Sequence, residues 1–359
     1  MAQGENGMTV TTQGRRTRAL VLGGLLALAS AACPAADFDP RHGDVKALVD
    51  DVAGRGVDRD WLEQALTRAE FRQEVLDAMS GAAEHRLVWH EYRDIFLGEE
   101  RIAQGAAFIE THGDAFARAE AEYGVPAEII AAILGVETRY GEVTGDHRVL
   151  DSLSTLAFHH PRRGEFFRGE LAAFLEIAFA QGMAPENLEG SYAGAMGYPQ
   201  FIPTSYRAYA VDFDGDGRRN LWTDPVDAIG SIAHYLAEHR WAPGAPIYHE
   251  AKGPATPPGG IAFNEARPPR LTVSDLHDAG IVPRAELPAD TRVMPLALEL
   301  ADGAIRYRLG RDNFYAITRY NHSYLYAMAV TELAEAIATA RGQGPDWLTS
   351  IDTAPEERP

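Results

Sequence analysis

Apolar positions recur at three- and four-residue intervals along most of the chain, the spacing of one face of an α-helix. From Asp37 to about Tyr123 this pattern runs through VKALVDDVAGRG, RDWLEQALTRAEF and FIETHGDAFARAEAEYG and predicts a series of amphipathic helices. Pro126 is a favourable first-turn residue for the next helix and Gly141 a favourable stop. Helical spacing returns over Glu165–Met183, Pro225–Trp241 and Ser323–Gly342. Between Ala242 and about Arg311 the pattern changes: Pro and Gly become dense (GPATPPGG, ARPPR), and the alternating runs RVMPLALEL and AIRYRLG read as strands. The prediction is a mainly α fold of the α+β kind, with a small β-rich insertion before the last helix. No internal repeat interrupts it.

One helical stretch, IIAAILGVETRYG (Ile129–Gly141), raises a chemical question. Eight uncharged residues lead into Glu137, and Ile130, Ile133, Leu134 and Glu137 share a stripe. Burial there disfavours the charged carboxylate and raises its pKa, which suits a general acid. The alternative is an exposed Glu137 paired with Arg139 or a neighbouring arginine.

The chain has 33 Lys plus Arg against 52 Asp plus Glu, a formal net charge of −19. That field repels nucleic acid and anionic lipid, so neither is expected as a partner; a glycan, mostly neutral hydroxyls, remains open. Arg15, Arg16 and Arg18 precede the uncharged run Ala19–Ala32, the layout of a secretory signal peptide over residues 1–32. The lone cysteine, Cys33, follows immediately and excludes an internal disulfide. Its placement suggests a lipid anchor, although Ser30 stands where a lipoprotein signal usually has Leu; cleavage after Ala-Ser-Ala to a soluble product is the alternative.

Two further segments carry unusual residue choices. GSYAGAMGYPQFIPTSY (Gly190–Tyr206) combines three closely spaced glycines with Gln200 and with Tyr192, Tyr198 and Tyr206, whose flat faces suit stacking on sugar rings. DFDGDGRRN places Asp212, Asp214 and Asp216 at positions 1, 3 and 5 of a calcium loop, with Gly217, Arg218 (through its carbonyl) and Asn220 at 6, 7 and 9. Position 12 is Thr223, so Asp224 or Asp227 must close the shell; Asp224-Pro225 is also a good helix start. His159-His160 reads as a surface pair.

The motifs GVETRYG, FHHPRRGEFF, GSYAGAMGYPQF, VDFDGDGRRNLW and ITRYNHS, in this order, resemble the membrane-bound lytic murein transglycosylase B family over roughly Val88–Ala336. The resemblance implies a lysozyme-like helical core, an N-terminal α domain and a small inserted β domain. With the composition shifts, that gives an N-terminal helical domain over 37–110, a catalytic core with the calcium loop over 111–245, the β insertion over 246–311, a return to the core over 312–342 and a loose tail over 343–359. It implies periplasmic cleavage of the β-1,4 bond between N-acetylmuramic acid and N-acetylglucosamine, with 1,6-anhydro ends, and an outer-membrane lipoprotein if Cys33 is lipidated. Glu137 would be the one catalytic carboxylate. Ser191, Gln200, Tyr92, Tyr235, Tyr320, Asn321 and Tyr326 would bind substrate, while Phe166 stands where a relative carries Tyr. Asp212, Asp214, Asp216, Arg218 and Asp227 would hold a structural calcium ion, in a loop one residue longer than the family's. No organic cofactor is implied, and proteins of cell-wall synthesis or division are the partner class.

Two rival functions fit the residues. A muramidase hydrolysing the same bond needs a second acid or base, for which Glu142, Asp146, Asp151 and Glu165 are near in sequence. A calcium-stabilised glycan-binding protein would need no proton-holding carboxyl.

Overall fold

The structure, a computed structural model, describes residues 37–81 and 87–344; the leader, Cys33 and the tail beyond 344 lie outside the described residues. The described residues open with seven helices: α1 (Gly43–Gly54), α2 (Arg59–Thr67), α3 (Gln73–Gly81), α4 (Trp89–Phe96), α5 (Glu99–Thr111), α6 (Gly113–Tyr123) and α7 (Ala127–Thr138). A short strand β1 (His147–Arg148) leads into α8 (Val149–His159) and α9 (Gly164–Ala180), and β2 (Glu189–Gly190) pairs back on β1. Then come α10 (Pro203–Tyr209), which the periodicity does not announce, and α11 (Pro225–Glu238). The remaining strands are β3 (Tyr248–Lys252), β4 (Leu271–Thr272), β5 (Val282–Pro283), β6 (Arg292–Glu299) and β7 (Ile305–Gly310), with the short helix α12 (Val273–Asp278) after β4. Helices α13 (Asp312–Tyr320) and α14 (Tyr324–Ala340) close the described chain. Among the described residues no helix is long and apolar enough to cross a membrane.

The caps follow from side-chain chemistry. Asp58 accepts the Trp61 N–H at the start of α2, and Asp224 accepts from Val226 and Asp227 at the start of α11, where Pro225 needs no donor. Helix α7 is buried on almost every side and packs against α5, α6, α11 and α14. Its surroundings are apolar all round, which is why its sequence carries so little amphipathic contrast. Residues from every described helix except α12 share one contiguous core, from Leu62 and Trp89 to Ile130, Leu236 and Val330.

The five-stranded sheet is antiparallel, in the order β4-β6-β7-β3-β5. Alternation along β6 sorts its side chains: Val293 and Ala297 join a small core with Leu276, Ile281 and Tyr307, while Met294, Leu296 and Leu298 face the main core. Both faces are therefore covered. That explains a strand whose sequence is apolar at nearly every position.

Candidate active site

Helix α7 ends on Glu137 and Thr138. Glu137 is half-buried, and burial pushes its carboxyl up to about 7 against the opposing effect of a hydrogen bond from Tyr326, whose hydroxyl donates to Oε1 at 2.7 Å. No second carboxylate contributes to the shift. The pairing with Arg139 is not made. The chain turns sharply after Thr138, with Arg139, Tyr140 and Gly141 all at positive φ (52°, 60° and 92°), and the Arg139 guanidinium approaches Glu100 and Glu142 instead. The helix thus stops before Gly141, and the left-handed turn is held by burying the Tyr140 ring against Gly105 and Gly135, with its hydroxyl on the Arg101 carbonyl. Thr138 Oγ1 donates to the Tyr198 carbonyl and accepts from the Gly141 N–H, both at 3.0 Å.

From Glu137 a band of rings leads to a cleft lined by Tyr235 and Tyr320. Tyr326 of α14 lies parallel to Tyr320 at the end of α13 (centroids 6.2 Å apart), and Tyr320 meets Tyr235 of α11 at 4.9 Å. Phe201, in the glycine-rich segment, packs on both Tyr235 and Tyr320. The Tyr320 hydroxyl donates to the Pro199 carbonyl and that of Tyr235 to the Arg319 carbonyl, so their ring positions are fixed at both ends. Burial, and with it the charge of nearby Glu137, push the phenol of Tyr92 on α4 up to about 12. Asn321 follows α13 on the exposed surface.

Gln200 and Ser191 are positioned by the glycine-rich segment. Gln200 sits at φ 50° and spends both amide hydrogens on the carbonyls of Thr144 and Gly197, which leaves Oε1 as the group on offer in a cleft of about 350 Å³. Ser191 Oγ accepts the N–H groups of Ala193 and Ala195, so its own hydrogen is free to donate. A β-carbon at Gly197 would lie 2.1 Å from the Leu221 carbonyl oxygen, so only glycine allows this close approach.

The acidic loop joins α10 to α11. Carboxylate oxygens of Asp212, Asp214 and Asp227 lie within 4.8 Å of one another. Asp227 is buried and faces the loop, accepting from the N–H groups of Phe213 (2.6 Å) and Asn220 (2.7 Å), whereas Asp224 is the cap of α11. Asp216 stands apart from the cluster, its Oδ1 taken by the Arg218 N–H in a local turn. Gly217 adopts φ 89° with open space around it. Hard oxygen donors on a tight glycine turn fit calcium.

Residues 41–335 match the family model for the transglycosylase SLT domain. This chain belongs to the transglycosylase SLT family. It is 44% identical over 302 residues, 81% of each protein, to membrane-bound lytic murein transglycosylase B of Escherichia coli (strain K12). The structure of soluble lytic transglycosylase SltB1 from Pseudomonas aeruginosa is 45% identical, with a TM-score of 0.78, covering 84% of this chain and all of that one. Escherichia coli lytic transglycosylase Slt35, solved in complex with calcium, is 44% identical with a TM-score of 0.76, covering 83% of this chain and 93% of that one.

Within this transglycosylase domain some sequence-selected residues do other work. Tyr206 does not face the groove: it is 1% exposed, packs on Trp222 and hydrogen-bonds the Arg219 carbonyl beneath the acidic loop. Tyr198 is a spacer, its ring lying against Gly141. His159 packs its ring on Phe38 and Phe71, and His160 Nδ1 accepts the N–H groups of Arg162 and Arg163. The supporting roles of Thr138, Thr144 and Phe201 carried no separate sequence signal: Thr138 and Phe201 lie inside the motifs and Thr144 outside them, and none has chemistry of its own to mark it.

Proposed function

We propose that this chain is a peptidoglycan lytic transglycosylase that cleaves the β-1,4 bond between N-acetylmuramic acid and N-acetylglucosamine. The observation that carries the reading is Glu137, a carboxyl held near neutrality by burial and hydrogen-bonded by Tyr326 at one end of an aromatic groove. In its protonated form Glu137 gives its hydrogen to the glycosidic oxygen as the bond to C1 breaks. The carboxylate left behind takes the proton of the muramyl C6 hydroxyl, whose oxygen closes on C1 as a 1,6-anhydro ring. No water is consumed, and Glu137 ends as it began. The substrate's acetamido group stabilises the cation-like carbon, so one carboxyl suffices where a retaining hydrolase uses two. Ser191 donates to, and Gln200 Oε1 accepts from, polar groups of the sugars, while Tyr92, Tyr235, Tyr320 and Tyr326 line their path and Asn321 flanks it.

Hydrolysis is the weaker reading because its second acid is wanting among the residues close in sequence. Asp151 is buried in contacts with Arg72 and Arg148, and Glu142 is engaged by Gln104. Asp146 is almost fully exposed, and Glu165 is exposed too. Mass spectrometry of products from purified sacculi separates the cases. Muropeptides lighter by one water than hydrolysis products, and lost in Glu137→Gln, are expected; hydrated reducing ends would overturn the reading.

The same reading assigns a structural calcium ion to Asp212, Asp214 and Asp227, with the Arg218 carbonyl completing the set and Asp216 joining only by leaving its turn. The ion would tie α10 to α11 and supply no step of the chemistry. It also places the protein in the cell envelope, exported to the periplasm, where a lipid on Cys33 would hold it at the outer membrane. Peptidoglycan strands are its substrate and cell-wall synthesis or division proteins its expected company.

A further inference from the structure

Beyond Tyr235 the groove ends in a basic cluster that sugar chemistry does not account for. The cleft holding Gln200, Phe201, Tyr235 and Tyr320 is also lined by Arg319, His322 and His239, and none of its lining residues is an acid. In a chain with 52 Asp plus Glu against 33 Lys plus Arg, an acid-free wall bearing a guanidinium stands out. Among the described residues, the polar side chain that meets the Arg319 guanidinium is another base, Nε2 of His322 at 2.7 Å from NH1. The His239 ring stacks on Tyr235 at 4.0 Å, and its Nδ1 lies 2.7 Å from the Tyr235 carbonyl. A carbonyl only accepts, so Nδ1 carries the hydrogen. Burial, and the charge of Arg319 beside it, lower the pKa of this imidazole, which favours the ring with Nε2 as an acceptor. The cluster thus offers a fixed planar cation beside a hydrogen-bond acceptor, three ring-to-ring steps from the tyrosine on Glu137.

A glycan strand presents hydroxyls and acetamides, which need no cation; its peptide branches present free carboxylates and amide N–H groups. We propose that Arg319, flanked by His322 and His239, is a binding site for the peptide branch of the strand, with the guanidinium taking a free carboxylate and His239 Nε2 accepting a peptide N–H. This rests on the reading of peptidoglycan as substrate. The guanidinium fork matches a carboxylate in two parallel hydrogen bonds. The Arg319 side chain is separable from the groove's framework, because Tyr235 is held by the Arg319 backbone carbonyl.

The test compares kcat/KM on peptide-bearing strands with kcat/KM on the same strands after their peptide carboxylates are capped as amides, because removing the peptide would uncover the lactyl carboxylate of each muramyl residue. In Arg319→Gln the ratio of the two is expected to fall about tenfold, mainly through KM on the peptide-bearing strands. Arg319→Lys, which keeps the charge and loses the fork, should lie between. A ratio unchanged from wild type, including an equal loss on both substrates, would overturn the proposal. Independently of any variant, the free stem peptide should inhibit the wild-type enzyme on peptide-bearing strands and its carboxyl-amidated form should not; equal inhibition by both, or by neither, overturns it too. Failure of the underlying reading is distinct: the wild type would then release no anhydro ends from either substrate.

Discussion

Glu137 is held where its charge is penalised, and that penalty has a pH signature. In the unfolded chain a glutamate titrates near 4.5, whereas here burial carries it to about 7. Below the lower value both states hold the proton and there is no cost. As pH rises toward 7 the unfolded state releases its proton first, so native stability declines, and above 7 the full penalty is present. A shift of this size corresponds to about 3 kcal/mol. Glu137→Gln removes the charge and keeps the shape, so it should stabilise the fold by up to about this amount at pH 8 and by little at pH 4.5. Denaturant unfolding at the two pH values checks this, and equal effects at both would refute a buried, proton-holding Glu137. In the wild type, the proton-donating form is depleted as pH rises through 7, so turnover should fall over the same range. The sequence made the residue legible because an apolar stripe ended in a carboxylate. It did not reveal Tyr326 as its partner, 189 residues away; the family resemblance named that tyrosine only as a substrate-binding aromatic. Tyr206 shows the reverse error: an aromatic in a promising motif, but spent on the core.

Two elements show why boundaries and loops were only partly legible. Gly141 was a fair stop signal, yet α7 ends at Thr138, because the buried Tyr140 ring holds two non-glycine residues in the left-handed region ahead of the glycine. Tertiary burial outweighed local preference there. In the acidic loop the spacing of aspartates was plain, while the closing acid was ambiguous between Asp224 and Asp227. The fold separates them by helix capping: Asp224 occupies the start of α11, and Asp227, one turn on, faces back into the loop. Three facing carboxylates repel one another, so a cation should stabilise this element. Calcium at about 100 times its Kd is expected to add roughly 2.7 kcal/mol to unfolding free energy, seen as a raised Tm reversed by a chelator. Asp227→Asn should abolish most of that shift and Asp224→Asn should leave it; the opposite order would reassign the closing ligand.

At the scale of the whole molecule, the β-rich segment was visible as a change of composition, but its attachment was not, because the groups involved are far apart in the chain. Glu332 of α14 is 5% exposed and meets three arginines from two other layers: Arg93 of α4 at 2.8 Å, and Arg306 and Arg308 of β7 at 3.3 and 3.0 Å. Arg308 also binds Glu250 of β3 at 2.9 Å and lies over the Tyr248 ring. The same helices carry groove residues, Tyr92 beside Arg93 on α4 and Tyr326 on α14, so one carboxylate fixes the sheet and both tyrosine-bearing helices together. Replacing it by alanine leaves Arg308 buried with the more exposed Glu250 as its remaining ion-pair partner. Breaking such a pair on one side is costly, so Glu332→Ala should destabilise by about 3 kcal/mol in urea unfolding. Replacing both ends, Glu332→Leu with Arg308→Met, removes the stranded charge and should recover most of that loss. If the network does no more than decorate the interface, the single substitution will stay within about 0.5 kcal/mol of wild type, as for ordinary surface changes. If it sets the geometry of the groove, the double variant will be stable yet impaired in turnover, because an apolar contact restores packing without fixing the register of α4 against α14.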